Sequence, residues 1–228
     1  MKEQSKVNKP TYLAVEGPIG AGKTSLAKLL AENLGYRAVL EEADENPFIS
    51  DFYRAPRKSA FQAQLFFLLS RWRQQVELSL PDLFFPGVVF DYILPKDRLF
   101  AELVLNEKEL YLYQKLEESL SKATRKPDLV IYLEASFSVL WKRIKMRSRN
   151  YEKNMAPEYL EKVVEKYSQF FFDYSQTPLL VVNTDKLDFV ASSKDFELLT
   201  AEIEKPVLGT RYWRPDFTDG QPLVKKEG

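Results

Sequence analysis

Five short, predominantly apolar runs punctuate the chain, at Tyr12–Val15, Arg37–Leu40, Gly87–Phe90, Leu129–Leu133 and Leu179–Val182. They lack the apolar/polar alternation of a half-solvated strand, so they read as strands buried on both faces. Between them, apolar residues recur at helical spacing. SLAKLLAENLG follows the first run and ends at Gly35, an expected C-cap. Ala60–Leu80 is the longest such segment, and Glu107–Ala123, Ser136–Arg147 and Pro157–Tyr174 are others. Pro157 suits the first turn of its helix. Strands alternating with helices predict an α/β fold in which a five-stranded parallel sheet is flanked by helices. No repeat, linker or low-complexity tract divides the chain. Its 228 residues are expected to form a single domain, with peripheral tails at 1–10 and 206–228 and the latter draped on the surface or frayed.

In open α/β sheets, ligands gather at the carboxyl ends of the strands. The first run ends in GPIGAGKTS, Gly17–Ser25, which fits G-x-x-x-x-G-K-[ST] with Gly17, Gly22, Lys23 and Thr24 in register. A strand precedes the loop and a helix follows it, as a phosphate-binding loop requires. Glycines let the main chain bring its N–H groups close to a phosphate chain, and the helix N-terminus adds partial positive charge. Lys23 reaches the outer phosphates in such a loop, and the Thr24 hydroxyl ligates Mg²⁺. The expected nucleotide-binding set is Gly17, Gly20, Ala21, Gly22, Lys23, Thr24 and Ser25.

Acids close the other strands. The second run leads into Glu41, Glu42, Asp44 and Glu45; the third ends in Asp91 and the fourth in Glu134. Asp91, closing GVVFD, has the form of a metal-facing acid, and Glu134, closing LVIYLE, is its rival; spacing from the loop does not separate them. Glu41 is the better candidate for a general base, at the mouth of a second strand expected to lie next to the first. The remaining acids of EEADE read as a solvated loop. An acidic acceptor side repels a second phosphate and tolerates a neutral hydroxyl. Downstream, Arg143 and Arg147 share a helical face and Arg149 follows in the turn. These three suit charge stabilisation on a transferring phosphoryl group, and equally a solvated basic helix end.

Composition narrows the chemistry. Histidine and cysteine are absent, which removes imidazole and thiol catalysis and Cys/His zinc sites, leaving carboxylates, lysine or tyrosine for proton transfer. Any metal must sit among oxygens, which favours Mg²⁺. Lys+Arg and Asp+Glu both number 33, so no polyanion such as nucleic acid is implied as partner. No apolar run approaches a membrane span, and Met1–Pro10 lacks the apolar core of a signal peptide, so a soluble cytoplasmic protein is expected.

From about Tyr12 to Phe189, these pieces in this order resemble the deoxynucleoside kinase family, which phosphorylates the 5′-hydroxyl of deoxynucleosides with ATP. EEADENPF, FQAQLFFLLSR and DYILPKDRLFAE are closest to its bacterial deoxyadenosine/deoxyguanosine kinase branch. The resemblance implies a P-loop kinase fold with an arginine-rich lid, ATP and Mg²⁺ as cofactors, and a homodimer paired through helices, which the apolar helices at Ala60–Leu80 and Glu107–Ala123 permit. It places the catalytic base on Glu41, Gln64 on the edge of the nucleobase, and Asp97 in a pair with Arg71. Tyr53 and Glu152 fall on the sugar 3′-hydroxyl. Arg147 and Arg149 belong to the lid, and Arg143 lies near the adenine of ATP. The branch favours a purine deoxynucleoside. One departure stands out: many members carry an acid–Arg–Ser/Thr triplet after the third strand, where this chain has Asp91-Tyr92-Ile93. Lys96, Arg98 or a lid arginine is left to supply that charge. The rival readings are a thymidylate-kinase-like nucleotide kinase, which needs basic residues where EEADE stands, and a non-catalytic ATP-binding regulatory or assembly protein, which leaves Gln64, Arg71 and Asp97 unexplained.

Overall fold

Along β1 (Tyr12–Glu16) successive side chains enter two different cores, as strand geometry requires. Leu13 and Val15 join Val89, Ile131, Leu133, Leu180 and Val182 on one face of the sheet. Tyr12 and Ala14 join Val88, Phe90, Val130, Tyr132 and Val181 on the other. This burial on both sides is why the strands read as unbroken apolar runs. The computed structural model describes residues 10–77, 84–120, 124–215, 217–218 and 221–222. The last three positions of the expected helices at Ala60–Leu80 and Glu107–Ala123 lie outside the described residues, as do 1–9 and most of the chain after 215.

The elements follow in order β1, α1 (Lys23–Leu34), β2 (Arg37–Val39), α2 (Ile49–Arg54), α3 (Pro56–Glu77), β3 (Val88–Phe90), α4 (Lys96–Val104) and α5 (Glu107–Leu120). Then come β4 (Leu129–Glu134), α6 (Phe137–Arg147), α7 (Pro157–Phe172), β5 (Leu179–Asn183), α8 (Ser193–Ile203) and β6 (Thr210–Trp213). A two-residue pair, β7 (Phe217–Thr218) and β8 (Gln221–Pro222), closes the list. The main sheet has the order β2-β3-β1-β4-β5-β6 and is parallel throughout. Helices α1, α6 and α8 cover the Leu13 face through Leu26, Leu30, Leu140, Ile144, Leu199 and Ile203. Helix α7 covers the Tyr12 face through Val163, Tyr167 and Phe171.

Three expectations need correction. The sheet has six strands, because Thr210–Trp213, expected in a draped or frayed tail, pairs in parallel with β5. Burial there follows edge-strand alternation, exposed and half-buried in turn, so no continuous apolar run marks it. The second strand is not next to the first: β3 lies between them, bonded to both. Helices α2, α4 and α8 were not anticipated. Two caps are as expected. Helix α1 ends at Gly35, whose N–H bonds the carbonyls of Ala31 and Glu32, and Pro157 opens α7.

Candidate active site

The phosphate loop joins β1 to α1. Gly22, the N-cap of α1, has φ +96°, a conformation that side-chain-bearing residues rarely adopt. At Gly20 (φ +89°) an added Cβ would lie 2.9 Å from both Ile144 Cγ1 and the Leu140 carbonyl of α6. The loop therefore rests directly on the helix that ends in Arg147. Lys23 Nζ donates to the loop's own carbonyls at Gly17 (2.8 Å) and Pro18 (3.1 Å). Burial, with Lys96 nearby, lowers the Lys23 ammonium to about 8. Nucleotide phosphates would replace those carbonyls as its partners.

The two candidate metal-facing acids now separate. Thr24 Oγ1 donates to Asp91 Oδ2 at 2.5 Å, and the Glu41 backbone N–H donates to Asp91 Oδ1 at 2.7 Å. Glu134 is exposed, and among the described residues its carboxylate accepts a hydrogen bond from Asn183 alone, at 3.5 Å. Burial and the neighbouring Glu41 raise the Asp91 carboxyl, against the opposing Thr24 bond. A hydroxyl and a carboxylate at the head of α1 suit Mg²⁺, which takes few protein ligands and completes its shell with phosphates and water. Among the described residues no cluster of three or more acidic groups forms a metal site by itself.

Glu41 stands just beyond β2 and pairs with Arg71 of α3 and, at 3.2 Å, with Lys96 Nζ of α4. Burial alone would push its carboxyl up, but Arg71, Lys96 and Lys23 overcome this and hold it well below the usual range. Glu42, expected in a solvated loop, is instead tied to α3 by Ser70, by Arg73 at 2.7 Å and by Gln74 at 3.1 Å. Asp44 is exposed, with Arg149 4.0 Å away.

Gln64 and Arg71, two helical turns apart on α3, are both buried and line the same cleft as Glu41. Asp97, buried at the start of α4, pairs with Arg71 from behind the cleft wall. Arg71 Nε and Asp97 Oδ2 are buried without a hydrogen-bond partner, leaving bonding capacity unmet beside the cleft. Phe67 and Tyr92 hold the guanidinium in place, their ring centres 4.9 and 5.5 Å from its carbon.

The cleft, about 390 Å³, is lined by Lys23, Thr24 and Ser25 at one end and by Tyr53, Gln64 and Arg71 at the other. The lid closes its side. Arg147 Nε donates to Glu152 Oε2 at 2.9 Å, Arg149 donates to the Tyr151 hydroxyl at 2.6 Å, and Tyr151 stacks on Tyr53 with centroids 5.9 Å apart. Arg147, Arg149 and Glu152 all line the cleft. Arg143 does not: it donates to Thr184 Oγ1 (3.0 Å) and to the carbonyls of Thr184 (2.8 Å) and Leu187 (3.1 Å), holding the loop after β5.

Of the cations considered after the third strand, Arg98 is exposed and paired with Glu102 at 3.1 Å. Lys96 is 2% exposed and lines the cleft. One residue escaped the sequence reading. Glu16, at 0% exposure, accepts from the Gly17 N–H (2.7 Å), the Ile93 N–H (3.2 Å) and the Tyr167 hydroxyl (3.0 Å), with Lys96 Nζ 3.5 Å away. An acid closing a strand buried on both faces was the available signal, because such a group demands partners.

Comparison with known proteins bears on the family. A family model described as deoxynucleoside kinase matches residues 13–208. The chain is 33% identical over 209 residues to a deoxyguanosine kinase of Bacillus subtilis (strain 168), covering 89% of this chain and all of that one. It is also 33% identical to a deoxyadenosine kinase of Dictyostelium discoideum, covering 98% and 91% of the two chains. Among solved structures, deoxyadenosine kinase from M. mycoides with bound dATP superimposes with a TM-score of 0.74, at 26% identity and covering 85% and 98% of the two chains. With the phosphate loop, the carboxylate at its far side and the arginine lid in one cleft, and a family match spanning most of its length, this chain belongs to the deoxynucleoside kinase family.

Proposed function

We propose that this protein transfers the γ-phosphate of ATP to the 5′-hydroxyl of a purine deoxynucleoside, in nucleotide salvage. The observation that carries this reading is Glu41, a half-buried carboxylate held ionised by its cationic neighbours, sharing one cleft with the phosphate loop's Lys23 and with Gln64 and Arg71. The nucleobase lies against Gln64 and the Arg71–Asp97 pair, and the sugar 3′-hydroxyl between Tyr53 and Glu152. Glu41 takes the 5′-hydroxyl proton while the oxygen attacks phosphorus in line, and Lys23, Arg147 and Arg149 offset the charge on the transferring group. Thr24 and Asp91 would hold Mg²⁺, which would neutralise charge on the phosphates. Arg143 fixes the Thr184–Leu187 loop at the adenine side, and closure at 147–152 excludes water as a competing acceptor.

The acceptor end of the cleft supports a nucleoside over a nucleotide, since Glu41 leads there and the two cations paired with it, Arg71 and Lys96, are already engaged with carboxylates. Purine preference rests on the relatives, named as deoxyguanosine and deoxyadenosine kinases. Two further parts of the reading are a cytoplasmic setting and a homodimer, for which α3 and α5 expose Leu69, Val76, Tyr111 and Leu112. ATP consumption measured with a panel of deoxynucleosides and their monophosphates tests the whole. Stimulation by purine deoxynucleosides is expected; stimulation by monophosphates alone, or by nothing, overturns it. Light scattering tests the dimer.

A further inference from the structure

Lys96 is buried, charged and absent from the reaction as described so far. Its surroundings give it a direction. Glu16 accepts three hydrogen bonds, from Gly17, Ile93 and Tyr167, which fix its carboxylate as an ion-pair partner 3.5 Å from the ammonium. Lys96 Nζ lies closer to Glu41, at 3.2 Å, and to one oxygen in particular, Oε1. Arg71 approaches that same Oε1 from α3. Among the described residues no group bonds Oε2. Two cations from two different helices thus meet one oxygen of the carboxylate, and the other is free to serve the cleft that Glu41 lines.

We propose that Lys96, anchored by Glu16, is a positioning residue that clamps Oε1 of Glu41 and so presents Oε2 to the acceptor hydroxyl. This rests on the reading of Glu41 as the base. In the step it serves, the 5′ O–H bond breaks and its proton passes to Oε2. The oxygen bonds to the γ-phosphorus, and the bond from phosphorus to the β–γ bridging oxygen breaks, releasing ADP. Lys96 gains and loses no proton. Because Glu16 also accepts the Gly17 N–H, the same carboxylate ties the first residue of the phosphate loop to the clamp on the base. Donor and acceptor ends of the cleft are thereby held in one register, as a reaction that depends on in-line geometry requires.

The test is a double-mutant cycle between Lys96→Met and Glu41→Gln, with steady-state kinetics on deoxyadenosine and deoxyguanosine. Lys96→Met is expected to lower kcat by roughly thirtyfold or more while both KM values stay within about threefold, the signature of an interaction that serves the transition state. Lys96→Arg should recover part of the loss. In the Glu41→Gln background, Lys96→Met should cost no more than about twofold further, because a residue acting through Glu41 has nothing left to act on. Arg98→Met, exposed and outside the cleft, should leave kcat unchanged. Full additivity of the two losses overturns the proposal, and so does a rise in KM at unchanged kcat. If Lys96→Met does not fold, Glu16→Gln carries the same cycle: a kcat loss absent from the Glu41→Gln background supports the clamp, and an additive loss overturns it. Failure of the kinase reading itself is separate, since wild-type enzyme would then show no deoxynucleoside-dependent ATP consumption.

Discussion

The backbone N–H of Glu41 donates to Asp91 Oδ1 at 2.7 Å, so the residue proposed as base is fixed to the carboxylate proposed to face the metal. The same Asp91 receives the Thr24 hydroxyl through its other oxygen. One side chain at the end of β3 thus joins the mouth of β2 to the head of α1. Strand order makes this possible. With β3 between β1 and β2, the residue just after it reaches both neighbours, which it would not do if β2 lay beside β1.

Replacing Glu41 with Gln keeps the shape and the backbone bond to Asp91 and removes only the basic oxygen. Turnover should fall by roughly two orders of magnitude or more. Deoxynucleoside affinity, measured by calorimetry in the absence of ATP, should change by less than about threefold, since Gln64 and Tyr53 are untouched and Arg71 keeps its pair with Asp97. Near-normal turnover would remove Glu41 from the role of base.

Asp91→Asn should act on the metal more than on the nucleoside. A neutral amide still accepts from Thr24 or Glu41 but offers less to a hard cation. The Mg²⁺ concentration for half-maximal activity should rise by about tenfold or more, with the nucleoside KM little changed. Glu134→Gln is the matching control and should leave Mg²⁺ dependence as it was. The reverse pattern would give the role to Glu134.

That choice shows where sequence stops. Asp91 and Glu134 both close apolar strands, and both strands flank β1. They differ by face. Asp91 follows Val89, whose side packs under α1; Glu134 follows Tyr132, whose side packs under α7. Period-two alternation therefore sends only Asp91 toward Thr24, a fact readable once the helices are assigned to faces. The four inner runs were legible because burial on both sides leaves mostly apolar residues, and the edge strand β2 was legible only through its short Ala38–Leu40 stretch. Helix α4 was not, because Lys96 and Asp97 place charges at buried positions and break its apolar period. The phosphate loop, Gln64, Arg71 and the lid residues share one cleft as expected. Glu42 was misread because its partners on α3 are about thirty residues away in sequence, beyond the reach of any local pattern.

Gly20→Ala tests the seating of the phosphate loop on the lid helix. The new methyl meets the Leu140 carbonyl and Ile144 at 2.9 Å, and the left-handed backbone alone costs about 1–2 kcal/mol. The loop must shift off α6, carrying its N–H groups away from the phosphates. Affinity for MgATP is expected to drop by about tenfold or more, at a stability loss of a few kcal/mol. Unchanged nucleotide affinity would show that the loop does not depend on α6 for its shape.

Ending the chain at Val207 tests β6. The truncation removes the ladder to β5 and the half-buried Trp213 packed against the core. It also removes Arg211, which donates to the Glu202 carbonyl at 2.6 Å and pairs with its carboxylate at 3.1 Å. Glu202, buried in the full chain, then keeps Lys205 as its ion-pair partner among the described residues. Together these should cost about 2–4 kcal/mol, a Tm decrease of roughly 5–15 °C for a chain of this size. Turnover measured well below that Tm should stay within about threefold of the full chain, because β4 and β5 separate β6 from the phosphate loop. A Tm unaffected by the truncation would show that the sixth strand adds no stability. A large loss of turnover in a fully folded truncation would instead bring the end of β6 into the nucleotide site, across the β5 loop that Arg143 holds.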